Sequence, residues 1–155
     1  MMMRGWLFLV LVLIASHAKA NGEDQRWTLV LSDFVAHYTN DPDHNNKPKF
    51  IGLQYQLEDS RWHVGGSTFY NSFGQRSVYA WMGTRFDAQH NPLYLKITGG
   101  FLQGYRGEFR DKIPYNSRGV APAIVPAIGI QQGRLGTELV ILGNSALMLA
   151  FALDF

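Results

Sequence analysis

Large apolar residues alternate with small or polar residues along most of the chain after residue 26. The final stretch, ALMLAFALDF (146–155), shows this most clearly. One set of alternate positions holds Leu, Leu, Phe, Leu and Phe, and the other holds Ala, Met, Ala, Ala and Asp. A period of two is typical of a β-strand with two different faces. The stretch is therefore predicted to be a strand with one face toward hydrocarbon.

The same alternation divides the rest of the chain into strands of roughly ten residues, the length of a tilted strand that crosses a membrane. Long polar links at 39–48 and 104–121 and brief ones at 72–75 and 143–145 are expected at one end, with short turns at 59–60, 88–92 and 132–133 at the other. Bacterial outer-membrane barrels have this arrangement. We therefore predict an all-β fold, an eight-stranded antiparallel transmembrane β-barrel with periplasmic termini. The predicted strands are 27–38, 49–58, 61–71, 76–87, 93–103, 122–131, 134–142 and 146–155.

Charged residues indicate which face of each predicted strand points inward. A charge on the lipid face at mid-depth costs ~2–4 kcal/mol, so Lys96 and Glu138 are expected inside. A soluble lipocalin-type barrel would show the reverse pattern, with an apolar interior. Strand four is ambiguous, because Arg85 lies near its end and could reach the membrane surface instead. If Arg85 is inside, so are Tyr79, Trp81 and Gly83.

The first twenty residues, MMMRGWLFLVLVLIASHAKA, have the pattern of a secretory signal peptide. A basic Arg4 precedes an apolar run at 6–15, and Ala18-Lys19-Ala20 forms a small-x-small cleavage signature. A membrane anchor is the alternative, but the run is shorter than the ~20 residues that a spanning helix needs. We predict cleavage before Asn21, which leaves residues 21–155 as the barrel domain.

Composition narrows the function classes. Cleavage removes two of the 14 basic residues and none of the 12 acidic ones, so the mature chain has a formal charge near zero and gives no case for nucleic-acid binding. The chain has no Cys, which excludes disulfides and Cys-ligated metals. Eight strands leave an interior too narrow for a porin channel. We expect a monomer with no cofactor and no metal site.

Two reactive side chains are predicted at the same end of the barrel. Strand one ends in His37, and strand three is followed by Asn71-Ser72; both strands run in the same direction. Asp33 is expected on the inward face with His37, but four residues along a strand span ~13 Å. The alternative interpretation is a solvent-facing rim histidine and an ordinary turn serine.

A family resemblance supports the interpretation of His37 and Ser72 as reactive residues. The segment WHVGGSTFYNSFGQRSVYAWMG resembles the part of the lipid A palmitoyltransferase family that carries its Asp-Ser pair, and Asn71-Ser72 fall on that pair. FVAHYTND resembles the strand with the family's catalytic histidine, at His37, and PYNSRGVAPAIVPAIGIQQG resembles its Pro-rich strand. The resemblance implies an eight-stranded outer-membrane barrel that moves a palmitoyl chain from a phospholipid to lipid A at the outer surface.

The resemblance also implies roles for individual residues. His37 would be the general base and Ser72 its partner hydroxyl, as acyl transfer to a hydroxyl requires. Gly83 falls on the glycine that floors the family's acyl-chain pocket. Pro126, with Pro122, falls on a strand where the family uses a weakened seam for lateral lipid entry. Phe155 matches the closing residue that outer-membrane barrels present to their assembly machinery.

The chain departs from the family pattern in two places. Asn71 replaces the acidic residue of the catalytic set, and loss of an orienting carboxylate costs ~10⁴-fold in the serine-protease template. An acid from the long loops could take its place, and the candidates are Asp41, Asp43, Glu108 and Asp111. The second departure is at 21–26, which is too short and polar for the amphipathic helix that precedes the family's barrel.

Two functions remain open from the sequence. The first is an acyltransferase whose partners are a phospholipid donor and lipid A. The second is a catalytically inactive barrel of the same fold, with a surface-modifying role such as lipopolysaccharide binding or phage exclusion through loops 39–48 and 104–121.

Overall fold

A computed structural model describes residues 26–58 and 60–155. The predicted signal peptide and residues 21–25 lie outside the described residues. Eight antiparallel strands form a closed barrel in sequence order, and β1 pairs with β8 to complete the ring. The prediction of eight strands is confirmed, and every predicted boundary lies within two residues of the observed one. The strands are β1 (Trp27–His37), β2 (Phe50–Gln56), β3 (Trp62–Tyr70), β4 (Arg76–Asp87), β5 (Leu93–Gln103), β6 (Val120–Gln132), β7 (Leu135–Leu142) and β8 (Ala146–Asp154).

The barrel has two different ends. The loop end carries the connections at 38–49, 71–75, 104–119 and 143–145. The connection at 104–119 includes a 3-10 helix at Gly107–Lys112. The turn end carries the short connections, and there Trp27 at the start of β1 and Phe155 after β8 exchange backbone hydrogen bonds of 3.2 and 2.8 Å. Across the two described ranges, no helix is long and apolar enough to cross a membrane.

The predicted inward positions of Lys96 and Glu138 are confirmed. Glu138 in β7 is 4% exposed and Lys96 in β5 is 8% exposed. The large apolar residues next to each of them along the strand lie on the outer surface. Arg85 is inside, because its guanidinium lies 3.7 Å from the centre of the Tyr94 ring, which is itself buried. In β8, Ala150 is fully buried and its neighbour on the outer face is exposed. The strands therefore present a mixed polar interior and an apolar exterior.

A β-bulge in β1 corrects one prediction. Leu31 pairs with Phe151 and Phe34 pairs with Leu149, so β1 carries one residue more than β8 at this point. Ser32 is buried and Asp33 is exposed, so the expectation that Asp33 shares the inward face with His37 is wrong. An extra residue on one strand reverses its inside–outside parity. Ser32 stabilises the bulge, because its hydroxyl donates to the Leu149 carbonyl at 2.6 Å.

A polar network fills the interior toward the turn end. The Lys96 ammonium lies 2.5 Å from the Glu138 carboxylate, which also accepts a 2.8 Å hydrogen bond from the Tyr94 hydroxyl. Asp154 accepts hydrogen bonds from the Thr28 hydroxyl at 2.6 Å and from the Gln131 amide at 3.1 Å. These side chains pair with one another inside the barrel, so this half is closed.

The seam between β6 and β7 is incomplete. Their paired residues run from Ala127↔Val140 to Gln132↔Leu135, whereas β6 continues to the loop end as residues 120–126. Residues 120–126 pair with β5 alone in the described barrel. Pro122 and Pro126 lie in this stretch, and proline has no N–H for a ladder hydrogen bond. The barrel wall therefore has no β6–β7 ladder along this stretch.

Candidate functional site

His37 and Ser72 meet at the loop end. The Nε2 atom of His37 lies 2.8 Å from the Ser72 hydroxyl oxygen, across 35 residues of sequence. The Nδ1 atom of His37 lies 2.8 Å from the side-chain oxygen of Asn46. An amide oxygen can only accept, so Nδ1 carries the proton and Nε2 is free to accept one from Ser72. This is the arrangement of a histidine base held between a hydroxyl and an orienting group.

The loop between β1 and β2 brings these residues together. The Asn46 carbonyl accepts a hydrogen bond from the Val35 N–H at 3.0 Å, which ties the loop back to β1. The Asn45 N–H donates to the Ser72 carbonyl at 2.7 Å, and its side-chain amide donates to the Asn71 carbonyl at 3.2 Å. The paired residues Asn45-Asn46 thus connect the end of β1 to the turn that carries Ser72.

Asn71 lies next to the site but has a different set of contacts from the predicted one. Its side-chain oxygen accepts hydrogen bonds from the Phe73 and Gln75 N–H groups, both at 3.0 Å. These bonds shape the tight turn between β3 and β4. The amide that contacts the His37 ring is that of Asn46.

The four loop acids do not orient His37 in the described structure. Asp41 lies 3.9 Å from the His44 ring nitrogen and accepts from the Asp43 N–H at 3.0 Å. Glu108 and Asp111 are exposed on the 3-10 helix. His44 instead stacks against His37, with ring centroids 4.5 Å apart. The site is therefore a histidine–serine pair with a neutral orienting amide.

Asn46 is the functional candidate that sequence reasoning missed. It lies nine residues after His37 in a polar loop, and nothing in its spacing distinguishes it from Asn45. Its position depends on how the loop folds back onto β1, which the period-two pattern of the strands does not report.

Tyr105 is a second residue that the sequence did not single out. It follows β5, it is half-buried, and it lines the same cavity as Ser72, whose groups act on its hydroxyl. Burial raises the pKa of Tyr105 above its ordinary value, and the bonds with Ser72 offset part of that rise. A phenol with a raised pKa stays protonated at neutral pH, so Tyr105 is available as a hydrogen-bond donor.

A cavity extends from this site into the barrel. The cavity has a volume of about 140 Å³, counted as the space available to the centres of water molecules. One water needs roughly 10–15 Å³ by this measure, so the cavity can hold a molecule of many atoms. Asn71, Ser72 and Tyr105 line its polar mouth, and Lys96 and Glu138 belong to its lower wall. Most of the remaining wall is apolar, and its members include Val35, Phe69, Leu102, Val125, Val140 and Met148.

Gly83 and Pro126 occupy different positions relative to this cavity. Gly83 is buried on the inward face, as predicted, but the His63 ring occupies the space beside it; a Cβ there would lie 2.5 Å from His63 Nε2. The lower wall of the cavity is formed instead by Trp81 with the Lys96–Glu138 pair. Pro126 is half-buried, and its neighbours Val125 and Ala127 line the cavity.

Comparison with protein-family models gives no match for this chain, and comparison with curated proteins gives no significant one. The function of the protein is therefore inferred from the geometry of the site. That geometry allows His37 to remove a proton from the Ser72 hydroxyl at the mouth of an apolar cavity, a combination suited to an acyl ester.

Proposed function

We propose that this protein is an outer-membrane lipid A acyltransferase that moves a palmitoyl-type chain from a phospholipid to lipid A. The observation that carries the proposal is the contact of His37 with Ser72 at the mouth of an apolar cavity. A base and a hydroxyl supply the chemistry of acyl transfer, and the cavity supplies a place for the chain.

The distribution of apolar surface supports a membrane location. Ile51 is 54% exposed, Phe101 66% and Phe151 53%, and they lie on β2, β5 and β8, which are in different parts of the ring. The interior contains an ion pair, which a soluble barrel with an apolar core would place outside. Continuous apolar exteriors of this kind occur where strands face lipid.

The cavity has the length of one acyl chain. From Leu102 to Lys96 its wall follows β5 for six residues, or roughly 20 Å along the strand. With the usual strand tilt of about 35–45° this is roughly 15 Å along the barrel axis. One leaflet of a bilayer has about that thickness, because the hydrocarbon core is about 30 Å thick.

The incomplete β6–β7 seam offers a route from the membrane to the cavity. Residues 120–126 lack a β7 partner in the described barrel, and Ala123 and Val125 line the cavity from this stretch. A chain entering sideways here would avoid crossing the polar loop end. Pro122 and Pro126 keep this edge without N–H donors, so the seam is not completed by hydrogen bonding at those positions.

The proposed reaction begins with the Ser72 hydroxyl. Its oxygen bonds to the ester carbonyl carbon while its proton moves to His37 Nε2. The bond from that carbon to the glycerol oxygen then breaks, and the lysophospholipid leaves with the proton from His37. A lipid A hydroxyl repeats the two steps in the same order and releases Ser72, so His37 acts as base and then as acid.

The second candidate function is that of an inactive barrel that binds lipopolysaccharide. The loop at 104–119 favours it, because its basic residues have no carboxylate within ion-pair distance in the described structure and Tyr115 is 88% exposed. Such a surface suits phosphate groups. The basic residues of the loop are Arg106, Arg110, Lys112 and Arg118.

Mass spectrometry of lipid A separates the two functions. Cells that express the wild type are compared with cells that express His37→Ala, and His90→Ala in the exposed turn at 88–92 serves as the matched control. The acyltransferase predicts an added palmitoyl mass with the wild type and the control that is absent with His37→Ala. Unchanged lipid A in all three, with the barrels present in the outer membrane, would refute it and support the second function.

A further inference from the structure

The orientation of the Asn71 side chain is fixed by its hydrogen bonds. Two backbone N–H groups, of Phe73 and Gln75, point at one atom of the amide. An N–H group can donate only to an acceptor, so that atom is the amide oxygen. The other atom is therefore the –NH₂ group, which can only donate.

This –NH₂ group is buried without an acceptor. Asn71 is 3% exposed, and its amide nitrogen has no hydrogen-bond partner in the part of the chain that the structure describes. A buried donor without a partner costs ~1–3 kcal/mol. Asn71 is one of the residues that line the cavity, next to Ser72, so we expect the acceptor for this group on a molecule bound there.

Tyr105 lines the same cavity as Asn71 and Ser72, and its backbone is held in place by two neighbouring side chains. The Gln75 side chain clamps the backbone of the next residue, Arg106, with one bond to its carbonyl at 3.1 Å and one from its N–H at 3.0 Å. The Asn116 amide donates to the Tyr105 carbonyl at 3.0 Å. These contacts anchor the backbone around Tyr105, which lines the cavity together with Ser72.

We infer that the amide nitrogen of Asn71 and the hydroxyl of Tyr105 form a donor pocket for the carbonyl oxygen of an acyl ester. The inference rests on the proposed function. When Ser72 oxygen bonds to the carbonyl carbon, the carbonyl oxygen becomes an oxyanion. Two fixed donors at the mouth of a largely apolar cavity stabilise the negative charge on that oxygen. The charge disappears when the leaving group departs and the carbonyl re-forms.

The inference gives Asn71 a role opposite to the one implied by the family resemblance. If Asn71 were a weakened substitute for an orienting acid, Asn71→Asp would raise the rate. If Asn71 is a donor, the same change removes both N–H groups and places a negative charge against the oxyanion, so the rate falls. The turn is preserved in either case, because a carboxylate accepts the same two N–H bonds.

The test compares Asn71→Asp and Tyr105→Phe with the wild type, all purified in detergent as folded barrels. Removing one oxyanion donor typically lowers kcat by ~10²–10³-fold, and we expect this for Asn71→Asp with KM changed less than about twofold. Tyr105→Phe, which retains the ring, should lower kcat in the same way. A kcat within about twofold of the wild type for both variants, or a higher kcat for Asn71→Asp, would overturn the inference.

A second measurement does not depend on turnover. The infrared band of a phospholipid labelled with ¹³C at its ester carbonyls is recorded with each protein bound. Donation to the carbonyl lowers its stretching frequency, so the wild type should show a downshifted band that both variants lose. A wild type that transfers no acyl chain would refute the proposed function, and this band would still decide the donor pocket; an unshifted band would refute the pocket alone.

Discussion

The two halves of the barrel interior treat polar groups in opposite ways. Toward the turn end, charged groups are paired, as in the Lys96–Glu138 pair, and the space is filled. Toward the loop end, the interior is an open cavity, and its mouth holds His37 with Ser72 and the unpartnered amide nitrogen of Asn71. Internal pairing stabilises a fold, whereas groups left available can bind and react. We therefore expect substitutions in the two halves to separate stability from activity.

The largest effect is expected at His37. His37→Gln removes the base while keeping a side chain that can hydrogen-bond, so acyl transfer should fall by ~10²–10⁴-fold. His37 is only half-buried at the end of a strand, so the free energy of unfolding should change little. The rate of palmitoyl transfer and a urea unfolding curve check the two halves of the prediction. A variant that retains the wild-type rate would remove His37 from the mechanism.

The turn-end half should respond in the reverse manner. Glu138→Leu leaves the Lys96 ammonium buried without its partner, which typically costs ~3–5 kcal/mol of unfolding free energy. The double variant Lys96→Met/Glu138→Leu removes both charges and should be much closer to the wild type. His37 and Ser72 are unchanged in both variants, so any fraction that remains folded should still transfer acyl chains, while the altered lower wall of the cavity should change the preferred chain length. Equal destabilisation by the single and double variants would contradict the pairing argument.

The orienting amide allows a finer test of the loop-end half. Asn46→Leu removes the acceptor for His37 Nδ1 and should lower the rate by about tenfold, whereas Asn46→Asp adds a charge that stabilises the imidazolium and should raise it by about tenfold. Asn46 is exposed, so both effects are expected to be smaller than the ~10⁴-fold of the buried template. Asn144→Asp is the matched control, since that residue is exposed in the loop at 143–145 and its side-chain oxygen accepts a hydrogen bond from Ser145 that a carboxylate keeps. Identical rates for Asn46→Leu and the wild type would argue against an orienting role.

The smallest effect is expected at Thr28. Thr28→Val keeps the shape of the side chain and removes its hydrogen bond to Asp154, which should cost roughly 0.5–1.5 kcal/mol, because both partners are only half-buried. Acyl transfer should stay at the wild-type rate because the residue lies at the turn end. A loss of activity without a loss of stability would show that the two halves are coupled.

The same contrast shows what the sequence could predict. Strand number, strand bounds and the inward positions of Lys96 and Glu138 followed from alternation and charge, because a strand has only two faces. The position of Arg85 stayed open, since it lies near the end of its strand. The bulge near Asp33 did not follow, since one extra residue reverses the faces without changing the composition. The loop-end site was predicted only as far as His37 and Ser72. Asn46 and Tyr105 reach it through loop conformations that depend on several tertiary hydrogen bonds at once.

The closure of the ring by β1 and β8 has a consequence for how the protein matures. The pairing joins Trp27 to Phe155, which lie near the two ends of the described residues. The barrel therefore cannot close until β8 has been synthesised. Until then two strand edges stay open to other chains. These edges therefore need to be shielded until the ring closes, and a truncation within β8 should yield aggregates in place of a smaller barrel.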